Sequence, residues 1–263
     1  MSDNQLITSF QKTTDSHSRA AFVKQTFSTT PNLLLPNEQT IHDHIFQTLS
    51  TSKDEQVPID NRPFFPKFVS SKNDGVVIGS CTGVVQTSPE DLLAYMYLTD
   101  THEARATHIA ANGPDSSKYP NKKIHTINDH HHITYSCRKL PPPLNPREWL
   151  ARSIFQQVDE DNFILFYTPV ADDDPDLPPS FTKTTLKNAI RGEFTAMHKY
   201  ERLPNNQTRF TLRLKVDIKG NIPKKIANMG MSGALDSVYR AYKYFKRDEE
   251  IDELEVSLNE MMI

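Results

Sequence analysis

The sequence predicts an α+β protein in which a curved antiparallel β-sheet wraps around one long C-terminal α-helix. Three observations predict it. From about residue 122 the chain is a succession of β-branched and aromatic runs separated by the turn signals DEDN, DDDPDLPP and PNN, the pattern of an antiparallel meander. The last run alternates, with Phe210, Leu212, Leu214, Val216 and Ile218 on one face and Thr211, Arg213, Lys215 and Asp217 on the other, so one face must be covered. The segment after it supplies the cover. Ala227, Met231, Leu235, Val238, Tyr242 and Phe245 recur every three or four residues, while Lys224, Lys225, Arg240, Lys243, Lys246 and Arg247 lie largely off that stripe. With no strands left for a second sheet, a helix is what remains to bury the apolar face.

In chain order, residues 1–34 read as a flexible polar tail with at most one short helix at AAFVKQTF. NEQTIHDHIFQTLS offers Asn37 as a cap and Ile41, Ile45 and Leu49 as a narrow apolar stripe, a helix. Beyond the proline-broken VPIDNRPFFP come two strand-like runs, KFVSS and GVVIGSCTGVVQ, divided by Asn-Asp-Gly. SPEDLLAYMYL is a short helix with Ser88 as cap, Pro89 in the first turn and Asp91 as the capping-box acid. The strands KKIHTIN, HITYSCRK, REWLARSIFQQV, NFILFYTPV, LKNAIRGEFTAMHKYERL and TRFTLRLKVDIK follow, then the terminal helix from about Pro223. RDEEIDELEVSLNEMMI closes the chain as an acidic extension, taken as 249–263.

Composition narrows the class. A formal net charge of −3 carries no basic excess, so a nucleic-acid partner is not expected. Cys81 and Cys137 cannot staple a disulfide framework, and a reducing, cytoplasmic setting is the expectation. The N-terminus has no apolar core of a signal peptide, Asp3 and Asp15 argue against a transit peptide, and no window approaches a membrane span.

Three stretches carry a resemblance. ITYSCRKLPPPLNPREWLARSIFQQVDEDNFILFY places a tyrosine-containing strand, a proline-rich loop, Arg147, Glu148, Trp149 and a hairpin in order. IRGEF at 190–194 is similar to a strand entry, and VDIKGNIPK at 216–224 to an Asp-x-Lys-Gly-x-x-Pro-Lys passage into a lid helix. Over roughly residues 37 to 247 the chain resembles a START domain, the steroidogenic-acute-regulatory-protein-related lipid-transfer module. It departs from the family at Asn221, where tryptophan is frequent, and lacks a Trp-Asp after the second helix. The acid and arginine of cholesterol-binding members have no counterpart: HHITYSCRK has no acid, and the arginine position falls on Ser153. The resemblance implies a helix-grip fold over residues 35–248 and a non-enzymatic lipid-binding and lipid-transfer protein. It would hold one phospholipid, sphingolipid or sterol under its C-terminal helix, as a cytoplasmic monomer in transient contact with membranes and with no cofactor.

From strand parity, Trp149, Phe163, Leu165, Tyr167, Leu212, Leu214, Val216 and Ile218 are the expected lipid-binding residues of the sheet. Phe194 and Met197 join them in a phase that a bulge at Gly192 can shift. Met231, Leu235, Val238 and Tyr242 are expected from the helix, and Ser153, Thr195, Tyr167 and Tyr242 bring hydroxyls. Any of the apolar ones equally suits an ordinary core. Leu140 and Leu144, in LPPPLN, are the expected gate and membrane contact, or else a stiff surface turn. Gly230 and Gly233 each cost a helix about 1 kcal/mol relative to alanine. They suit a lid that bends, or a close helix-to-sheet approach. Met229 and Met231 suit an adaptable surface or a gap in the core.

The sequence shows no phosphate loop, nucleophile elbow or paired carboxylates. NDHHHI reads as an exposed strand start rather than a metal site, and ADDDPDLPP as a solvated turn. Two other functions stay open at this point: a helix-grip cyclase or hydrolase with acid–base residues in its cavity, and a lipid-sensing regulatory module.

Overall fold

The computed structural model describes residues 21, 23–26, 36–50, 67–70, 76–98, 109, 121–178, 188–220 and 222–246. The elements are α1 (Pro36–Ser50), β1 (Lys67–Ser70), β2 (Val76–Val85), α2 (Pro89–Tyr97), β3 (Asn121–Asn128), β4 (His131–Arg138), β5 (Arg147–Gln157), β6 (Asn162–Pro169), β7 (Ile190–Arg191), β8 (Glu193–Leu203), β9 (Gln207–Asp217), α3 (Lys224–Leu235) and α4 (Ser237–Tyr244). The strands form one sheet in the order β1-β2-β9-β8-β6-β5-β4-β3. All of these pairs are antiparallel, and the two-residue β7 adds a parallel pairing to β5. This is the α+β, helix-grip architecture expected. The proposed acidic extension and most of the N-terminal tail lie outside the described residues.

The single strand expected from LKNAIRGEF onward is divided at Gly192, because a side chain cannot fit there. A Cβ at Gly192 would lie 2.8 Å from Nε1 of Trp149. The Gly192 N–H donates to the Glu148 carbonyl at 2.9 Å, so β7 leans on β5 before the chain enters β8. The same close approach sets the phase of β8. Phe194, Ala196, His198 and Tyr200 face the concave side with Val216, Leu214, Leu212 and Phe210 of β9.

Two layers cover the sheet. The main core lies on the concave side. There Phe155, Phe163, Leu165, Tyr200, Phe210 and Leu212 meet Leu92 and Leu93 of α2 and Met231, Leu235, Val238 and Ala241 of α3 and α4. Val23, from the helical residues near the N-terminus, is buried in this core too. On the convex side Ile45 and Leu49 of α1 pack on Ile164, Phe166 and Met197, with Ile41 alongside. The stripe read from the sequence of α1 therefore meets the outside of the grip. Helix α2 starts as its caps require: Ser88 accepts from the Asp91 N–H at 3.1 Å and donates its hydroxyl to the Asp91 carboxylate at 2.8 Å.

The terminal helix is interrupted once, at Asp236 (φ −60°, ψ −11°). Hydrogen bonding continues through the interruption, from Asp236 N–H to Ser232 and from Arg240 N–H to Asp236, each 2.9 Å. The irregularity therefore interrupts the helix without ending it.

Candidate functional site: the concave face and its helical lid

Register carries side chains across the concave face in rows. His132, Ser153, Tyr167, Ala196, Leu214 and Gly79 are successive partners on β4, β5, β6, β8, β9 and β2. Phe155, Leu165, His198, Leu212 and Cys81 form the next row, and Phe163, Tyr200 and Phe210 the one beyond. These last two rows are packed solid, none of their members above 5% exposed. In the opposite direction the face opens. Thr134, Ser136, Trp149, Tyr167, Phe194, Val216 and Ile218 all stay partly exposed although they lie on the inner side of the sheet. The concave surface is thus a core at one end and an accessible apolar wall at the other, with the Ser153 row at the boundary.

The expected site residues divide along that line. Phe163, Leu165, Leu212, Met231, Leu235 and Val238 are at most 2% exposed and belong to the packed end, with Leu214 close to them at 6%. Trp149, Tyr167, Phe194, Val216, Ile218 and Tyr242 lie on the accessible part. Thr195 and Met197 do not join either group. Their strand phase turns them to the convex side, where Met197 packs against α1. Leu140 and Leu144 are partly exposed in a loop whose three prolines are exposed, and the Leu144 N–H closes it onto Pro141 at 3.1 Å.

The polar groups in the Ser153 row and the packed rows beside it are uncharged. His198 sits against Tyr167, Tyr200 and Phe210, with its Nδ1 3.1 Å from the Tyr200 hydroxyl; burial pulls its pKa down to about 3. The Tyr167 hydroxyl donates to the Met96 carbonyl at 3.1 Å, tying β6 to α2, and burial raises its pKa. Tyr97 packs against His132 and Phe155. Ser153 is fully buried, and its hydroxyl has no hydrogen-bond partner among the described residues.

The C-terminal helix is held at both ends. At its entrance Lys219 (φ +56°) and Gly220 (φ +73°) turn the chain through two successive left-handed residues. Arg147 clamps that turn. Its Nε donates to Ile218 O at 2.8 Å, one Nη to Lys219 O at 3.1 Å and the other to Asn145 O at 2.7 Å, which also joins the turn to the proline loop. Beside it Glu148, fully buried, accepts from Tyr135 and Arg191 at 2.8 Å each. The Arg-Glu-Trp stretch therefore serves architecture: a hinge clamp, a buried ion pair and the wall against Gly192. At the far end Tyr95 of α2 stacks on Tyr244 (centroids 4.7 Å) and meets Phe245 edge-on at 5.5 Å.

Between these anchors the close approach of helix to sheet is made by Gly79 of β2, not by the helical glycines. A Cβ on Gly79 would lie 2.7 Å from Met231 Sδ and 2.8 Å from a Leu235 methyl. A Cβ on Gly233 would meet nothing within 4 Å, and one on Gly230 only Ile218 Cδ1 at 3.9 Å. Packing therefore does not require glycine at either helical position. Met231 is a core residue, whereas Met229 is 60% exposed.

The histidines of NDHHHI are buried rather than an exposed strand start, at 7%, 0% and 4% exposure for His130, His131 and His132. His132 packs on Tyr97 on the concave side, and His130 and His131 meet a carboxylate that no spacing argument places beside them. Glu38 of α1, itself buried, accepts from Asn128 at 3.2 Å and lies 3.3 Å from His130 Nε2 and 2.9 Å from His131 Nδ1. Arg152 donates to His131 Nε2 at 3.2 Å, to both Asp174 oxygens at 2.7 and 2.8 Å, and to Asp176 at 3.0 Å. The acidic turn expected to be solvated thus neutralises a buried arginine on the convex side. Among the described residues no group of three or more histidine, cysteine or acidic side chains is arranged to hold a metal ion.

No protein-family model matches the chain, and no curated protein sequence matches it. Solved structures do. The lipid transfer and protein localization domain of human StarD13 superposes over 82% of this chain and all of that one, with a TM-score of 0.55 at 12% identity. Human STARD10 matches over 82% and 83% of the two chains, TM-score 0.57, 16% identity. Human StAR-related lipid transfer protein 5 matches over 80% and 96%, TM-score 0.56, 12% identity. A fragment of the STAR-related lipid transfer protein of Xanthomonas axonopodis gives 0.54 at 10% identity. The resemblance read from the motifs is met by these structures: the chain has the fold of the StAR-related lipid transfer domains.

Proposed function

We propose that this protein binds one lipid between the open part of the concave sheet and its C-terminal helix, and carries it between membranes without chemical change. The observation that supports this reading most is the wall formed by Trp149, Phe194, Val216 and Ile218, apolar side chains that stay partly exposed on the inner face of the grip. Apolar surface in a concave setting gains about 25 cal/mol per Å² when covered, and a lipid body is the natural cover. The uncharged state of His198 favours binding over catalysis, because a histidine protonated only near pH 3 is a poor general acid or base at neutral pH. No helix among the described residues is long and apolar enough to cross a membrane. We place the protein at the cytoplasmic face of membranes as a peripheral visitor. Exposed Met229, with Leu140 and Leu144, would meet the lipid surface while α3 lifts.

The test is native mass spectrometry of the full chain from a eukaryotic host, followed by extraction and identification of bound lipid. One lipid per chain is expected, with its loss in Val216→Trp, which fills the open wall while leaving the packed end intact. A chain that stays empty after incubation with mixed-lipid vesicles refutes the reading.

A further inference from the structure

At the β4 side of the open groove, positive charge gathers without a balancing acid. Ile133, Tyr135 and Cys137 pack on the convex side of β4, so Thr134, Ser136 and Arg138 turn to the concave side. Arg138 stands directly across from Arg147 of β5, which brings two like charges together. Arg147 spends its guanidinium on the carbonyls of the hinge turn and of Asn145. The Arg138 guanidinium has no hydrogen bond or ion pair among the described residues. It is exposed to solvent, yet protein crowds it: burial first, and then the charge of Arg240 on α4, lower its pKa. A side chain both accessible and crowded lines a recess, and here Arg240 faces it from the lid.

The lid side of the recess is built by helical spacing. Gly230, Gly233, Ser237 and Arg240 recur every three or four residues and share one side of the terminal helix, beside its buried stripe. Gly230 turns that side toward Ile218 of the open wall, and space is open next to Gly233. The Ser237 hydroxyl oxygen is buried there without a hydrogen-bond partner among the described residues. Arg240 makes one contact, from Nη1 to Gly233 O at 3.3 Å, and no ion pair among the described residues. An unpartnered buried hydroxyl and two neighbouring guanidiniums without an acid each cost the empty protein stability. A phosphate answers both, because its oxygens accept from a guanidinium fork and from a hydroxyl. No lysine or arginine belongs to the Phe155 or Phe163 rows, so an anionic head finds its partners only at this end, while the apolar wall takes the acyl chains.

We infer that Arg138, Arg240 and Ser237 form an anion site at the open end of the groove that holds the phosphate of the bound lipid, so that the protein selects anionic phospholipids over uncharged and zwitterionic lipids. This rests on the lipid-binding reading above and names its ligand class.

The experiment uses the full chain and phosphatidylcholine vesicles doped equally with phosphatidic acid and a diacylglycerol of the same acyl chains, and measures each lipid retained per chain after re-isolation. Phosphatidic acid is expected at least about tenfold above diacylglycerol, since a hydrogen bond to a charged group corresponds to a tenfold change or more. The ratio should fall by about tenfold in the double variant Arg138→Gln with Arg240→Gln, and by less in Arg138→Lys, which keeps the charge but not the fork. Ser237→Ala should lower the ratio too, while its Tm in the empty state stays the same or rises, because an unsatisfied group has been removed. Equal retention of phosphatidic acid and diacylglycerol, or phosphatidylcholine retained as well as phosphatidic acid for its share of the vesicle, overturns the inference and leaves lipid binding standing. So does a double variant that sediments less with phosphatidic acid vesicles but keeps the parent's ratio of retained lipids, which would mean that the arginines only dock the protein on an anionic surface. A rise in Tm with inorganic phosphate as large as with phosphatidic acid marks a free-anion site and overturns it as well, as does a lowered Tm in Ser237→Ala, which would mark that serine as structural. If the unmodified chain retains no lipid of any kind, the lipid-binding reading itself fails and this inference fails with it.

Discussion

Replacing Gly230 and Gly233 together by alanine tests whether the lid is meant to be soft. Neither glycine has the positive φ that would exclude alanine, and the added methyl groups meet open space at 233 and an ordinary contact, 3.9 Å from Ile218 Cδ1, at 230. The folded structure therefore accepts both without strain. Each substitution is expected to stabilise by about 1 kcal/mol, mostly by removing backbone freedom from the unfolded chain. The two methyls share no partner, so the pair should add to about 2 kcal/mol, or roughly 4–8 °C in Tm for a domain of this size. The functional consequence depends on how the lid opens. If α3 must lose helical order at both glycines, the same 2 kcal/mol raises the opening barrier and slows exchange by up to about 30-fold. If α3 swings as a rigid body about Asp236, stability rises and exchange stays the same. Urea unfolding reports the first quantity, and transfer of a fluorescent lipid between vesicles reports the second. A double variant that is less stable than the parent would refute the reasoning, since it would mean that the glycines serve a contact or a backbone shape.

Two further predictions follow from the same structure. Arg147→Met should destabilise by about 3 kcal/mol and make the Lys219–Gly220 turn sensitive to protease, because three carbonyls within 3.1 Å of the guanidinium lose a charged donor. Arg147→Lys should recover only part of this, as one ammonium cannot span the fork of contacts, and equal stability of the Lys variant and the parent would contradict the clamp. His198 sets a pH dependence: its pKa is about 3 folded and near 6.5 unfolded, so between those values the unfolded chain holds one proton more. Stability should therefore fall with acidification through that window by up to about 1.4 kcal/mol per pH unit, and His198→Gln should flatten the profile by one proton. An unchanged slope in unfolding free energy against pH would show that His198 titrates normally.

Much of the fold was legible because it depends on local periodicity. The alternation of β9, the stripe of α3 and α4 and the Ser88–Pro89–Asp91 start of α2 each follow from one element's own residues, and each appears where its pattern places it. The passage into the terminal helix was read through its family resemblance alone, and its left-handed turn at Lys219 and Gly220 came from the structure. The candidate site was legible in half. Parity identified the concave residues of β5, β6 and β9 but placed Thr195 and Met197 wrongly with respect to the groove. The phase of β8 depends on Gly192 pressing against Trp149, two positions far apart in the chain. His198 and Ala196 were missed with it, although the same alternation finds them once that phase is known.

What the sequence determined by itself is the set of elements, their apolar faces and the kind of fold that buries them, because these are properties of neighbouring residues. Only the tertiary structure decided which concave residues are core and which form an open wall, that Gly79 rather than Gly230 or Gly233 receives the lid, and that Glu38 meets His130 and His131. Those outcomes depend on distances between residues more than a hundred positions apart or on opposite layers. Chain periodicity carries no record of such distances, and packing alone sets them.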